Sequence, residues 1–257
     1  MSTQALILAA GFGSRLMPLT QTIPKCMVKY RGHCIIDYEI QALEQAGIKH
    51  INVVGGYLYE TLEQYLQKKF HIQHFFRNPN YQSTNMVTTF FCARELLEFL
   101  TENNDDLIVS YADIVYSKTI VQNLLEADGD FKVIVDKQWK RLWEKRFDDP
   151  LSDAETLKLD KGIITEIGKK PISYDDIHGQ YIGLFYFSSS FLKKVLSFYD
   201  SLDTSKFYDG KDIKNMYMTS LLQGLIEKYQ NARAVEIQGG WCEIDFKSDL
   251  DIVIELQ

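Results

Sequence analysis

The sequence has no cysteine pair at CxxC spacing, no HExxH and no run of about 18 consecutive apolar residues. Each absence removes a class of function. Cys26, Cys34, Cys92 and Cys242 lie far apart, as expected of reduced thiols in a cytoplasmic chain. Five histidines without matched ligand spacing argue against a zinc site, and His71 and His74 fall in a strand-like run, residues 70–76. The chain opens Met-Ser-Thr-Gln with no basic leader and reaches only the short apolar run 5–10 before Gly11, so neither export nor membrane spanning is expected. Basic excess is also missing. With 28 Lys+Arg against 35 Asp+Glu the formal charge is −7, which disfavours a nucleic-acid or anionic-membrane partner. Nor does any Asp or Glu precede Asp37, although Arg15, Lys25, Lys29 and Arg31 do. The first 36 residues carry +4 and the remainder −11, so the N-terminal segment is expected to meet an anion.

What is present is a globular composition, 46% hydrophobic and 25% charged. Residues 5–10, 51–54 and 107–111 are short apolar runs that read as buried parallel strands. Between them, Ile36, Ile40 and Leu43 recur at helical spacing before Gly47, and Leu58, Leu62 and Leu66 precede Lys68-Lys69. Met86, Phe90, Ala93, Leu97 and Leu100 predict one amphipathic helix capped by Ser83 or Thr84. This alternation implies an α/β fold with a mostly parallel, Rossmann-like central sheet and helices on both faces. Residues 131–136 and 181–187 add strands, and 191–202 and 218–229 add helices. We expect one domain over 1–257, with an acceptor-side subdomain over roughly 131–190. Ligands of such sheets gather at the carboxyl ends of the strands, where Gly11–Arg15, Gly55–Tyr57 and Asp113 all fall.

The stretch Leu8-Ala-Ala-Gly11-Phe12-Gly13-Ser14-Arg15-Leu16 places two glycines one residue apart at such a strand end. That spacing suits either a ligand-free tight turn or a backbone cradle for a polyphosphate. It is not a Walker A loop, and Leu16 stands where a dinucleotide fingerprint needs its third glycine. The continuation decides. Leu8, Ala9, Ala10, Gly11, Gly13, Arg15, Leu16, Pro18, Leu19, Thr20, Pro24, Lys25 and Met27 reproduce the signature LAAGxGxRLxPLTxxxPKxM. The chain thereby resembles the nucleotidyltransferases that join nucleoside triphosphates to small phosphorylated compounds.

The resemblance implies a nucleotide cradle of Leu8, Ala10, Gly11, Phe12, Gly13 and Ser14, with Arg15 and Lys25 neutralising the triphosphate. It assigns Tyr57 to the nucleotide side, Ser83, Thr84 and Asn85 to the base-reading segment, and Ala112 to the strand end before Asp113. Asp113, and Asp245 within Trp241-Cys-Glu243-Ile-Asp245, match the aspartates that bind catalytic Mg²⁺; Ser248-Asp249-Leu250 follows as expected. The segment from Trp139 through Trp143, Arg146, Pro150 and Asp153 to Glu155 resembles cytidylyltransferases acting on phosphocholine, phosphonates or phosphorylated glutamine. These use CTP and usually serve surface polysaccharides such as capsules.

Acceptor-side candidates are Lys170, Tyr181, Trp139, Arg146 and Glu243. Lys169-Lys170-Pro171 departs from the EKP triplet of the sugar-nucleotide branch. Trp139 and Trp143, four apart, suit either core packing or a wall for a quaternary ammonium. Arg141 and Arg146 suit either a carboxylated acceptor or a solvated face. The reading is CMP transfer with pyrophosphate release. A sugar-1-phosphate nucleotidyltransferase and a catalytically silent nucleotide-binding subunit stand as alternatives. Nothing in the sequence sets the oligomeric state.

Overall fold

Apolar runs too short for helices become strands, and the 3.6-residue stripes between them become the helices that cover those strands. The computed structural model describes residues 2–255. In chain order the strands are β1 (Thr3–Ala9), β2 (Lys29–Tyr30), β3 (His33–Cys34), β4 (His50–Gly55), β5 (His74–Arg77), β6 (Asp106–Tyr111), β7 (Ile114–Tyr116), β8 (Phe131–Asp136), β9 (Leu157–Asp160), β10 (Ile163–Ile167), β11 (Gln180–Phe187), β12 (Ala232–Ile237) and β13 (Trp241–Glu243). The helices are α1 (Ile35–Gln45), α2 (Tyr59–Lys69), α3 (Met86–Phe91), α4 (Arg94–Asn103), α5 (Lys118–Glu126), α6 (Trp139–Arg146), α7 (Ser189–Asp200) and α8 (Met218–Tyr229).

Nine strands form one sheet in the order β5-β4-β1-β6-β11-β8-β12-β10-β9. β5, β4, β1 and β6 are mutually parallel, as are β8 and β12, whereas β11 runs antiparallel to both its neighbours and β10 to both of its own. Side chains alternate across this sheet. Ala5, Ile7 and Ala9 of β1 join the core with Ile36, Ile40 and Leu43 of α1. Leu6 and Leu8 enter the opposite core with Leu97 of α4, Phe191 of α7 and Leu222 of α8. The near-continuous apolar strands therefore reflect a sheet buried on both faces.

Two expectations change. The stripe expected to form one helix from Met86 is two, α3 and α4, broken where the Cys92 amide donates to the carbonyls of Thr88 and Thr89. The break keeps Val87, Phe90, Leu97 and Leu100 all in one core, a tertiary requirement that local periodicity does not contain. Its cap is Asn85, whose side chain accepts from the Met86 amide, rather than Ser83 or Thr84. Within the stretch 131–190, β8, β9, β10 and β11 all belong to the nine-stranded sheet, and residues 137–156 and 168–179 carry α6 and turns.

One irregularity positions the site. In β11 the register slips between Tyr181 and Phe185, and Gly183 takes φ +89 with its missing side chain facing the Tyr111 ring. A Cβ there would stand 2.7 Å from that ring. Gly183→Ala should therefore cost about 1–3 kcal/mol and displace Tyr111, whereas Phe187→Ala, emptying a fully buried site, should cost about 3–5 kcal/mol without touching it. Urea unfolding of both variants measures the difference; equal stability to wild type in either case would contradict this packing.

Candidate active site

At the end of β1 the chain does not enter a helix. Residues 10–34 form loops with short 3-10 turns and the β2–β3 ribbon, and the first α-helix begins only at Ile35. Any anion here meets loop amides instead of a long helix N-terminus. The two glycines differ. Gly13 is required by the protein itself: it has φ +65, a Cβ would sit 2.8 Å from the Lys25 Cβ, and its carbonyl accepts from Thr20 Oγ1 at 2.8 Å. At Gly11 a Cβ would meet nothing within 4 Å. Gly11 instead borders two adjoining cavities, one of about 60 Å³ with Lys25, Ala112 and Asp113, the other of about 80 Å³ with Ala10, Thr84 and Asn85. Leu8 lines both.

Of the remaining nucleotide-side candidates, Phe12, Ser14, Tyr57 and Ser83 line neither cavity. Phe12 packs on Tyr57 with ring centroids 4.5 Å apart, and the Tyr57 hydroxyl donates to the Gln21 carbonyl. The Ser83 and Thr84 hydroxyls both donate to the Asn80 carbonyl, which fixes the turn before Asn85. Ser14 starts the turn that presents Arg15.

Beside the smaller cavity lies a chain of opposite charges. The Lys25 ammonium donates to Asp113 Oδ2 and to Asp245 Oδ1, both at 2.7 Å, and Arg15 pairs with the other Asp245 oxygen. The aspartates come from distant sequence. β7 and β13 pair antiparallel, and the Ile244 amide donates to the Asp113 carbonyl at 2.8 Å, so their backbones are tied together. Burial alone would lower the Lys25 pKa, but Asp113, Asp245 and Glu243 outweigh it and raise the value, holding the ammonium charged. Asp113 Oδ1 is buried with no hydrogen-bond partner. A buried carboxylate oxygen left unsatisfied is costly, and a divalent cation would satisfy it. Among the described residues no three His, Cys, Asp or Glu gather as a metal site. Two aspartates fit Mg²⁺, which keeps several waters and takes one or two carboxylates plus substrate phosphate.

From this charged floor a larger cavity of about 260 Å³ opens past Arg15, Asp113 and Asp245 to walls that include Tyr111, Tyr181, Trp143 and Trp241. Glu243 also lines it, its pKa pushed up to about 7 by burial first, against the neighbouring Arg146. The other acceptor-side candidates lie elsewhere. Trp139 stands behind Trp143 at 5.9 Å between centroids and packs on Tyr174, so the wall is Trp143 and Trp241. Lys170 is exposed and donates to the carbonyls of Leu151 and Ser152, away from the cavity. Arg146 is buried, with Nη1 2.6 Å from Glu243 and Nε 3.1 Å from Asp249. Arg141, exposed, donates to Gln138.

Asp249, part of the expected Ser248-Asp249-Leu250 element but given no role there, is a positioning residue. Its Oδ2 accepts from the amides of Asp245 and Phe246, each at 2.8 Å, and so orients the segment carrying Asp245. Its place three residues after Phe246, inside a short helical turn that Phe246 precedes, was the available signal. Met86 and Tyr217, also on the cavity wall, carry no motif; they are there because α3 and the start of α8 converge.

Removing Arg146 would leave Asp249 buried without its cation. Arg146→Ala is expected to lose about 3–5 kcal/mol of stability, while Lys170→Ala, on the surface, should stay within about 0.5 kcal/mol. Urea titration of the two proteins tests this, and a neutral Arg146→Ala would remove Arg146 as the support of Asp249.

Comparison with known proteins identifies the family. A family model described as nucleotidyl transferase matches residues 4–244. The CTP:phosphoglutamine cytidylyltransferase of Campylobacter jejuni is 59% identical over 98% of this chain and 99% of its own. The choline-phosphate cytidylyltransferase of Haemophilus influenzae is 28% identical over 66% and 67% of the two chains. Among solved structures, the inositol-1-phosphate CTP transferase of T. maritima superposes with TM-score 0.76 at 20% identity, covering 96% of this chain and 91% of that one, which shows a shared fold. The chain belongs to the nucleotidyl transferase family.

Proposed function

We propose that the chain is a CTP-dependent cytidylyltransferase that transfers CMP to a small phosphorylated acceptor, with L-glutamine phosphate the leading candidate. The observation that carries this reading is Lys25, held between Asp113 and Asp245 where the glycine-loop cavities meet the larger one. The choice of acceptor rests on the 59% identity to the Campylobacter enzyme named for phosphoglutamine. Service to surface polysaccharide in the cytoplasm belongs to the same proposal, supported by the sequence resemblance and by the lack of any helix among the described residues long and apolar enough to cross a membrane.

In the reaction, an acceptor phosphate oxygen attacks the α-phosphorus of CTP and pyrophosphate leaves. A phosphate monoester, with its second pKa at about 6, is already mostly dianionic at neutral pH, so no side chain has to remove a proton. This accounts for a centre of cations and carboxylates with no histidine lining it. The protein aligns nucleophile and leaving group and offsets concentrated negative charge. Lys25 and Arg15, paired with Asp245 in the free protein, can turn to phosphate oxygens once the nucleotide enters. Asp113 and Asp245 are then the groups that would hold Mg²⁺. When bound, Mg²⁺ supplies charge neutralisation of the phosphates. Gly11 leaves the space for that chemistry, and Gly13 fixes the loop against Lys25.

The test is pyrophosphate release from CTP with L-glutamine phosphate and Mg²⁺, alongside phosphocholine and sugar 1-phosphates. Lys25→Ala and Asp113→Ala should each lower kcat/KM by at least about 100-fold. Rates within a few fold of wild type would sink the assignment. CTP binding without turnover on any acceptor would favour a silent nucleotide-binding subunit.

A further inference from the structure

Glu39, on α1, is a buried acid that the chemistry above does not use. It is fully withdrawn from water, on the side of the sheet where Ile36, Ile40, Ile108 and Tyr116 form the core. Its Oε1 accepts from the Ser110 hydroxyl, whereas its Oε2 is buried with no hydrogen-bond partner. Burial drives its pKa up, the Ser110 hydroxyl draws it partly back, and Asp113 pushes it up again. A half-satisfied carboxyl in an apolar core is costly, and an apolar side chain of the same length would avoid that cost.

The partners of Glu39 lie on either side of Asp113. Ser110, near the end of β6, stands three residues before it, and Tyr116, the last residue of β7, three residues after. Ser110 Oγ and Tyr116 Oη are 3.1 Å apart. That contact closes the strand–turn–strand segment with Asp113 at its tip, and Glu39 ties the closure to α1. At the tip itself, the Ala112 amide donates to the Leu8 carbonyl and the Ile244 amide to the Asp113 carbonyl. Those bonds join the turn to β1 and to the Asp245 segment. Its tilt against the helix layer is left to Glu39, Ser110 and Tyr116. The same helix also packs on the turn Lys25–Met27, so α1 abuts the sources of both Lys25 and Asp113.

We propose that Glu39 is a positioning residue for the metal site: through Ser110 and Tyr116 it braces the turn carrying Asp113, and so aims the Asp113 carboxylate at the place where Mg²⁺ would meet the nucleotide. This rests on the cytidylyltransferase reading and adds to it the support behind the first aspartate. Glu39 lines none of the three cavities of the site, so its influence passes through the turn. Asp113 needs such a brace because its two oxygens have different tasks. Oδ2 accepts from Lys25, and Oδ1 is buried without a partner. If the turn tilts, the flexible lysine can follow Oδ2, but Oδ1 loses its direction towards a cation shared with Asp245. Removing groups that orient a metal-binding side chain typically lowers metal affinity or activity by about 10–100-fold.

The experiment measures Kd for CTP by calorimetry, once with Mg²⁺ and once with EDTA, the acceptor withheld. Wild type should bind CTP more tightly with Mg²⁺. Glu39→Met, apolar and of similar length, should raise Kd with Mg²⁺ about tenfold and leave Kd in EDTA within about twofold. Glu39→Gln, which keeps an oxygen for Ser110, should stay within about threefold of wild type in both conditions. Tyr116→Phe removes a single hydroxyl and should show the same loss confined to Mg²⁺, which keeps the inference open to test where Glu39→Met does not fold. Added to Asp113→Ala, Glu39→Met should change neither Kd, since the brace then has no carboxylate to aim. A lower urea midpoint with equal losses in Mg²⁺ and EDTA would make Glu39 a structural residue only and overturn the inference. A wild-type gain from Mg²⁺ in both Glu39→Met and Tyr116→Phe, or a wild type indifferent to Mg²⁺, would overturn it too. Because the titration needs no turnover, a loss confined to Mg²⁺ without pyrophosphate release from any acceptor would sink the reaction assigned above and leave this inference standing. Turnover by wild type, with variants that keep its Mg²⁺ response, would do the reverse.

Discussion

Everything in this molecule that bears on chemistry depends on one ammonium group shared by two aspartates. Lys25 comes from the loop after β1, Asp113 from the end of β6, and Asp245 from beyond β13. Two carboxylates brought this close repel one another, and desolvation makes the repulsion worse. The ammonium between them makes the arrangement tolerable in the free protein. The same arrangement cannot be optimal, because Asp113 keeps a buried oxygen with no partner. A fold that brings these groups together while leaving that oxygen unsatisfied is organised around charges that arrive with a substrate. Stability given up there must be recovered elsewhere, and the two cores on either face of the nine-stranded sheet are where apolar burial is greatest.

The legible part of the fold is the part decided locally. Residues 5–10, 51–54 and 107–111 appear as β1, β4 and β6 because a strand covered on both faces has to be apolar at every position. The division of the stripe from Met86 into α3 and α4 was not legible, since the same spacing of apolar residues is compatible with one helix or with two that pack on the same sheet. The sheet order was equally hidden. Antiparallel β11 inserted between β6 and β8 requires pairings that lie about eighty and fifty residues apart, and periodicity carries no information about such partners.

The site divides in the same way. Arg15, Lys25, Asp113 and Asp245 were named from motifs, and the fold brings the four into one chain of ion pairs. Arg146 and Lys170 could not be placed, because a cation in a charged segment looks alike whether it faces substrate, solvent or a buried acid. Arg146 turned inward to Asp249, and Lys170 settled on two carbonyls of a turn. Trp139 and Trp143 show the limit sharply. Both are buried, both are four residues apart on α6, and only Trp143 reaches the cavity, since Trp139 is turned to Tyr174.

The supports behind Asp245 show why the second half of the chain, less regular in pattern, matters as much as the signature-bearing first half. Asp136, at the end of β8, accepts from the Gly239 amide and from the Trp241 indole, both at 2.9 Å or less, and so fixes the approach to β13. Asp249, held by Arg146 from α6, fixes the departure from it by accepting the amides of Asp245 and Phe246. Asp245 is thereby clamped before and after by two buried acids, neither of which touches the reaction centre. Because Arg146 also holds Glu243, a displacement of α6 would reach the cavity wall and the second aspartate together. Trp143, on the same helix, packs against Trp241 with centroids 6.0 Å apart. Acceptor-side wall and charged centre therefore form one mechanical unit, and a change in the acceptor cavity made on α6 would be felt at Asp245 as well as at the wall.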